Sequence, residues 1–254
     1  MCIIVFKPKK IALPSDEILK VCFVNNPNGA GYMYRRDKMV HYHKGFMTVE
    51  KFLESLHSNV DKKQDVCMHF RIATHGTIRP ENTHPFPITS EKSQLHQLSG
   101  IVNRALCHNG ILTGYGIPKS DISDSGFFAK MLYPASTAGQ IKAILDRHNT
   151  SSKFLVMTGK FSIISGVFSV VDNCHYSNGT YRTYENLIYD DNMIYDAFTK
   201  HSVWTKNQII QGADIDEDKE EMWDQFVKKN NYCRAKNRTV DQLKFDAYLD
   251  GCSL

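Results

Sequence analysis

Val66-Cys67-Met68-His69-Phe70-Arg71-Ile72-Ala73-Thr74-His75-Gly76 joins a strand to a loop rich in chemistry. Val66, Met68, Phe70 and Ile72 alternate with Cys67, His69, Arg71 and Ala73, the period-two pattern of a β-strand. Arg71 therefore falls near the strand's end. Upstream, Cys2 to Phe6 reads as a buried strand, and Pro14-Ser15-Asp16-Glu17 before Ile18-Leu19 reads as a helix start that Asn25-Asn26-Pro27-Asn28-Gly29 then breaks. Gly31 to Tyr34 and Met39 to Tyr42 predict a hairpin around Arg36-Asp37-Lys38, and Val49 to Leu56 carries helical spacing. Downstream, Ile101 to Cys107 predicts one strand ended by His108-Asn109-Gly110, followed by helices over Ser123 to Leu132 and Gly139 to Arg147. Strands return between Phe154 and Tyr184, with turns at Thr158-Gly159-Lys160 and Ser177-Asn178-Gly179. This order, with few long β-α-β alternations, predicts an antiparallel α+β sandwich rather than a doubly wound parallel sheet.

Size and composition narrow the classes. A chain of 254 residues can hold one large domain with an appendage, and 42% hydrophobic with 23% charged residues is ordinary for a soluble globular protein. The net charge of +4 is too small to imply nucleic acid, and Lys7-Pro8-Lys9-Lys10 reads as solvated surface. No apolar run reaches the ~18 residues of a membrane span, and Cys2 to Phe6 is too short for a secretory signal. On this reading Cys2 stays near the N-terminus. The 7 cysteines are odd in number and irregularly spread, which argues against a disulfide framework and for a reducing, cytoplasmic setting. From Glu185 the character changes, with an acidic Asp214 to Glu221 run leading into Met222, Trp223, Phe226 and Val227 at helical spacing. That segment reads as a surface helix packed on the core or as a docking element.

Several residues could carry chemistry. Once Met1 is removed, the thiol of Cys2 and a free α-amine share one residue, a nucleophile already paired with a base. A cysteine at position 2 is also read as incidental or as a lipidation site. Arg71 has the donor fork for a carboxylate, with Thr74 and His75 able to add hydrogen bonds, or it serves a structural ion pair. Cys67, His69, His75, His84, Cys107 and His108 offer metal ligands, but no established metal-ligand spacing joins them, and no metal or cofactor is implied. Asn109-Gly110 is either a two-residue hairpin turn or, through the Asn amide and the Gly N–H, an oxyanion hole. Asp124, in Ser123-Asp124-Ser125, is either an N-cap or the partner of a substrate ammonium. A nucleophile for an amide, an Arg for a carboxylate and an Asp for an ammonium would together describe glutamine.

Met1-Cys2, Gly29-Ala30-Gly31, Phe70-Arg71-Ile72-Ala73-Thr74-His75-Gly76 with Asn82-Thr83-His84-Pro85, Cys107-His108-Asn109-Gly110-Ile111 and Ser123-Asp124-Ser125 resemble, in order, the motifs of class II glutamine amidotransferases. The wording is similar to the glutaminase domain of glucosamine-6-phosphate synthase and to the small stand-alone members. The resemblance spans roughly residues 2 to 180. It implies a four-layer αββα sandwich of the N-terminal nucleophile hydrolase type over 2–184, beyond which the residue pattern reads as a mainly helical extension over 185–254. It also implies Cys2 as nucleophile, Asn109 and Gly110 as oxyanion hole, and Arg71, Thr74, His75 and Asp124 as the binding groups for L-glutamine, with His84 ordering its loop. One departure stands out: Asn25-Asn26-Pro27-Asn28 occupies the place where synthase-like members carry an Arg. About 70 residues after Tyr184 are too few for a typical acceptor domain, so the ammonia is expected to pass to a separate synthetase or ligase subunit. The alternatives are an N-terminal nucleophile amidohydrolase with a different amide substrate and a non-catalytic binding protein.

Overall fold

Alternation in Val66–Phe70 separates two interiors rather than an interior from water. Val66, Met68 and Phe70 enter one apolar cluster and Cys67 another, and all five residues of the strand are buried. This computed structural model describes residues 2–73, 77–112, 115, 122–148 and 152–183. Thr74, His75 and the expected extension over 185–254, with its acidic run and Trp223 helix, lie outside the described residues. Apart from Arg182 and Thr183, the described residues fall in one compact unit, Met1–Tyr181.

The chain is α+β. Its elements run β1 (Ile3–Lys7), α1 (Asp16–Asn25), β2 (Ala30–Arg36), β3 (Met39–Phe46), α2 (Val49–Asn59), β4 (Val66–Phe70), a 3₁₀ turn (Pro80–Asn82), β5 (Phe86–Pro87) and α3 (Lys92–Leu95). There follow β6 (Ser99–Val102), β7 (Arg104–Asn109), α4 (Asp124–Met131), α5 (Ala138–Asp146), β8 (Lys153–Thr158), β9 (Ser162–Ser165), β10 (Ser169–Val171) and β11 (Cys174–Tyr176). Among the described residues, seven strands pair in the order β10-β11-β1-β4-β2-β3-β6 and four in the order β5-β7-β8-β9, with antiparallel ladders throughout.

Strand alternation sorts side chains into three clusters. Ile3 and Val5 of β1 join Leu19 and Phe23 of α1 and Phe52 and Leu56 of α2 on one face of the larger sheet. Ile4 and Phe6, from the other face of β1, meet Ala105, Cys107, Leu155 and Met157 of the smaller sheet. Leu106, Phe154 and Val156, on that sheet's remaining face, pack with Phe128 of α4 and with Ile141 and Leu145 of α5. Each fully buried side chain of this size contributes about 1.5–3 kcal/mol. Both central sheet faces are thus dry, which explains the nearly continuous apolar runs of β1 and β8.

Local signals hold at the expected places. Ser15 Oγ accepts from Ile18 N–H to start α1. Asp37 and Lys38 take φ of 52° and 60°, the backbone of a tight hairpin turn between β2 and β3. The expected single strand Ile101 to Cys107 is two strands, however. The chain leaves the larger sheet after Val102 and enters the smaller one at Arg104, so Asn103 is a corner between sheets. Arg104 secures the new direction through donors to the Ala135 and Tyr133 carbonyls. Among the described residues, no helix is long and apolar enough to cross a membrane.

Candidate active site

The end of β4 and the start of β1 lie side by side, because Ile3 pairs with Phe70 in the antiparallel register. Cys2 and Ile72 extend that neighbourhood: Cys2 Sγ lies 3.4 Å from both the carbonyl oxygen and the N–H of Ile72. From the other side Asn178 Nδ2 donates to the Cys2 carbonyl at 2.7 Å. Cys2 retains some solvent exposure, yet crowding around the sulfur pushes its thiol up. The Ile72 N–H and the Arg71 guanidinium act against that rise. A thiol in this state is protonated at neutral pH and needs a base to become a nucleophile.

Arg71 is fixed from its backbone outward. Its N–H donates to the Gly29 carbonyl at 2.8 Å, and Asn28 N–H donates to the Arg71 carbonyl at 2.9 Å. Asn28 Oδ1 also accepts from Ala73 N–H at 2.8 Å, so the Asn-rich turn that replaces the expected Arg holds the passage after β4. Gly29 is required there: its φ is +104°, and a Cβ would meet Thr83 Cγ2 at 2.6 Å. The Arg71 side chain is only 5% exposed, and Nη1 donates to the Thr77 carbonyl at a long 3.3 Å. No ion pair with Arg71 occurs among the described residues, so the structural ion-pair reading does not hold for them. Burial lowers its pKa, while Cys2 and Asp124 act in the opposite direction. These three groups therefore share one electrostatic neighbourhood.

Asp124 is not the N-cap. Ser123 is, accepting from Gly126 N–H at 3.2 Å, and Asp124 opens α4 as its first residue. Its Oδ1 accepts from Ser125 N–H at 2.8 Å and its Oδ2 from Leu112 N–H at 3.2 Å, which aims the carboxylate back toward the segment after β7.

Asn109 ends β7 opposite Lys153 of β8, and the chain does not turn back at Gly110, so the hairpin reading fails. Gly110 takes φ of +148°, which side chains rarely adopt. Asn109 Nδ2 lies 2.9 Å from Ser177 Oγ, which also accepts from Ile4 N–H at 2.8 Å. Ser177 thus connects β7 to β1, the strand that begins just after Cys2. Thr74 and His75 fall outside the described residues.

Behind the site lies a cluster of three imidazoles. His69 and His84 are 4.0 Å apart at their ring centroids, and His84 and His108 are 6.4 Å apart. His108 is held between Ser125 and Ser152, and His69 Nε2 lies 2.9 Å from the His108 carbonyl. Burial lowers all three, His69 and His108 to about 3. These are neutral packing groups. Among the described residues, no group of three His, Cys, Asp or Glu side chains could hold a metal ion.

Sequence reasoning missed Asn28, Ser177 and Asn178 as parts of this site. Ser177-Asn178-Gly179 was legible as a turn, but nothing in its pattern shows that the turn abuts β1 and β7.

No family model matches the chain, and no curated protein matches it. Among solved structures, it is similar to a glutamine phosphoribosylpyrophosphate amidotransferase from B. subtilis complexed with ADP and GMP. The identity is 20% and the TM-score 0.47, over 69% of this chain and 41% of that one. A second neighbour, described as the allosteric regulatory enzyme of purine biosynthesis, has 18% identity and a TM-score of 0.47 over the same shares. The chain spans about two fifths of the length of these neighbours.

Proposed function

We propose that this chain hydrolyses the side-chain amide of L-glutamine through Cys2 and hands the ammonia to an acceptor on a separate synthetase or ligase subunit. The observation that carries the reading is a buried Arg71 with no ion pair among the described residues, set in one electrostatic neighbourhood with a cysteine nucleophile and a carboxylate. An unpaired buried guanidinium is unfavourable, and an anionic ligand relieves it. The fold within this reading is the four-layer αββα sandwich over 2–184, with the helical extension over 185–254 available to the partner subunit.

With Met1 removed, the α-amine of Cys2 takes the thiol proton and the thiolate attacks the amide carbon. Asn109 Nδ2 and Gly110 N–H donate to the oxyanion, Arg71 holds the α-carboxylate with Thr74 and His75, and Asp124 holds the α-ammonium. Collapse of the tetrahedral intermediate passes the proton to the leaving nitrogen, releasing ammonia and leaving a glutamyl thioester. Water then adds to the thioester, releasing glutamate and regenerating the Cys2 thiol.

Intact mass spectrometry before and after exposure to diazo-oxo-norleucine tests this. Loss of Met1 and a single adduct on Cys2, prevented by excess glutamine, is the expected result. A protein that keeps Met1 and takes no adduct contradicts the reading.

A further inference from the structure

Ser177 occupies a position that neither the mechanism above nor the turn pattern explains. It is 1% exposed, and it exchanges two hydrogen bonds with Ile4: Ser177 N–H donates to the Ile4 carbonyl at 2.9 Å, and Ile4 N–H donates to Ser177 Oγ at 2.8 Å. The Lys153 ammonium donates to the Ser177 carbonyl, so the residue is held on both sides. Its hydroxyl, held in place by this backbone, faces the Asn109 amide at 2.9 Å.

A primary amide has two orientations, related by a half-turn about its Cβ–Cγ bond, that exchange oxygen and nitrogen. With Nδ2 toward Ser177, the hydroxyl accepts twice, its own proton has no acceptor among the described residues, and Asn109 Oδ1 is buried with no donor. With Oδ1 toward Ser177, the hydroxyl accepts from Ile4 and donates to Oδ1. Both unmet groups are then satisfied, and Nδ2, with two free N–H bonds, occupies the place Oδ1 held. The first arrangement leaves a buried acceptor and the hydroxyl proton unmet, whereas the second leaves only the N–H₂ group for an incoming oxyanion to meet, so a bound oxyanion selects the second.

We propose that Ser177 is a positioning residue for the oxyanion hole: its hydroxyl, oriented by Ile4 N–H, holds the Asn109 carbonyl and turns the amide N–H₂ group toward the substrate oxyanion. This rests on the glutaminase reading given above. The same Ile4 belongs to the strand that begins beside Cys2, so one hydroxyl sets the amide relative to the nucleophile.

The test is steady-state glutamine hydrolysis by the full chain. Ser177→Ala is expected to lower kcat about 10–100-fold, less than loss of an oxyanion donor outright, with KM within about threefold. Ser177→Thr, which keeps the hydroxyl, is expected to restore most of the loss. Added to Asn109→Ala, Ser177→Ala is expected to cost nothing further in kcat, because it acts through that amide. If Ser177→Ala does not fold, Ser177→Cys keeps the shape with a poor donor and carries the same expectation. A wild-type kcat in Ser177→Ala, or losses that multiply in the double variant, overturns the positioning role alone. A wild-type chain without glutamine turnover overturns the glutaminase reading and this inference with it.

Discussion

Arg71 separates a functional from a structural account within one side chain. A structural arginine this deeply buried brings its own carboxylate; this one has a long hydrogen bond to Thr77 O and no ion pair among the described residues. Two consequences of opposite sign follow. Arg71→Met removes an uncompensated buried charge, so the urea midpoint is expected to stay or rise, whereas breaking a true ion pair would cost about 3–5 kcal/mol. Arg71→Lys keeps the charge but loses the fork, and KM for glutamine is expected to rise about 10–100-fold with kcat less affected. A falling midpoint in Arg71→Met together with an unchanged KM in Arg71→Lys would make Arg71 structural. The residue type and its place at a strand end were legible in the sequence. Its lack of an ion pair among the described residues was not, because counter-ions are supplied by tertiary neighbours.

At the scale of elements, the sequence marked β1, β2, β3 and β4 as strands but not which sheet each strand belongs to. The Ile101 to Cys107 run stays apolar across Asn103 although its alternation breaks there: Val102 packs against the same cluster as Ala105 and Cys107, while Ile101 is exposed. The hairpin between β10 and β11 turns at Asp172 and Asn173, which take the positive φ that such residues tolerate, at 49° and 60°, with no glycine to mark it. The Gly29-Ala30-Gly31 motif gains a physical reason here. Gly31 pairs with His69 in β4, and a Cβ on it would stand 2.1 Å from the His84 carbonyl and 2.8 Å from the His43 carbonyl. Those are backbone atoms that no rotamer change can move. Gly31→Ala is therefore expected to displace the loop that carries His84, lowering stability by several kcal/mol, on the order of other severe core changes. Urea denaturation measures it, and a midpoint equal to wild type would show that the loop yields freely. By contrast, Gly139→Ala serves as the control, since nothing lies within 4 Å of its Cβ position.

For the whole molecule, three apolar clusters leave the polar groups of the site at the margins of two facing sheets, and the three imidazoles sit where those sheets and the β4–β5 connection meet. Alternation marked β4 as a strand and an apolar run marked β1 as buried, but the clustering of His69, His84 and His108 depends on long-range packing that no spacing encodes. That cluster is expected to make stability respond to acid. Burial is the leading cause in each case, with Arg71 and Lys44 adding to the disfavour of a charged His84. Each folded-state pKa lies below the ordinary value of 6.5, so the folded chain keeps these rings neutral while the unfolded chain takes up protons. Stability is then complete above about pH 6.5 and is lost as pH falls toward 3, by about 1.4 kcal/mol per pH unit for each ring involved. Urea midpoints between pH 7 and pH 4.5 are expected to fall steeply. His84→Leu isolates one ring, because neither of its nitrogens has a hydrogen-bond partner among the described residues. The variant should unfold with about one fewer proton taken up, giving a shallower pH slope. A midpoint that holds constant down to pH 4.5, or a slope unaltered by His84→Leu, would remove the imidazole cluster as the source of acid sensitivity.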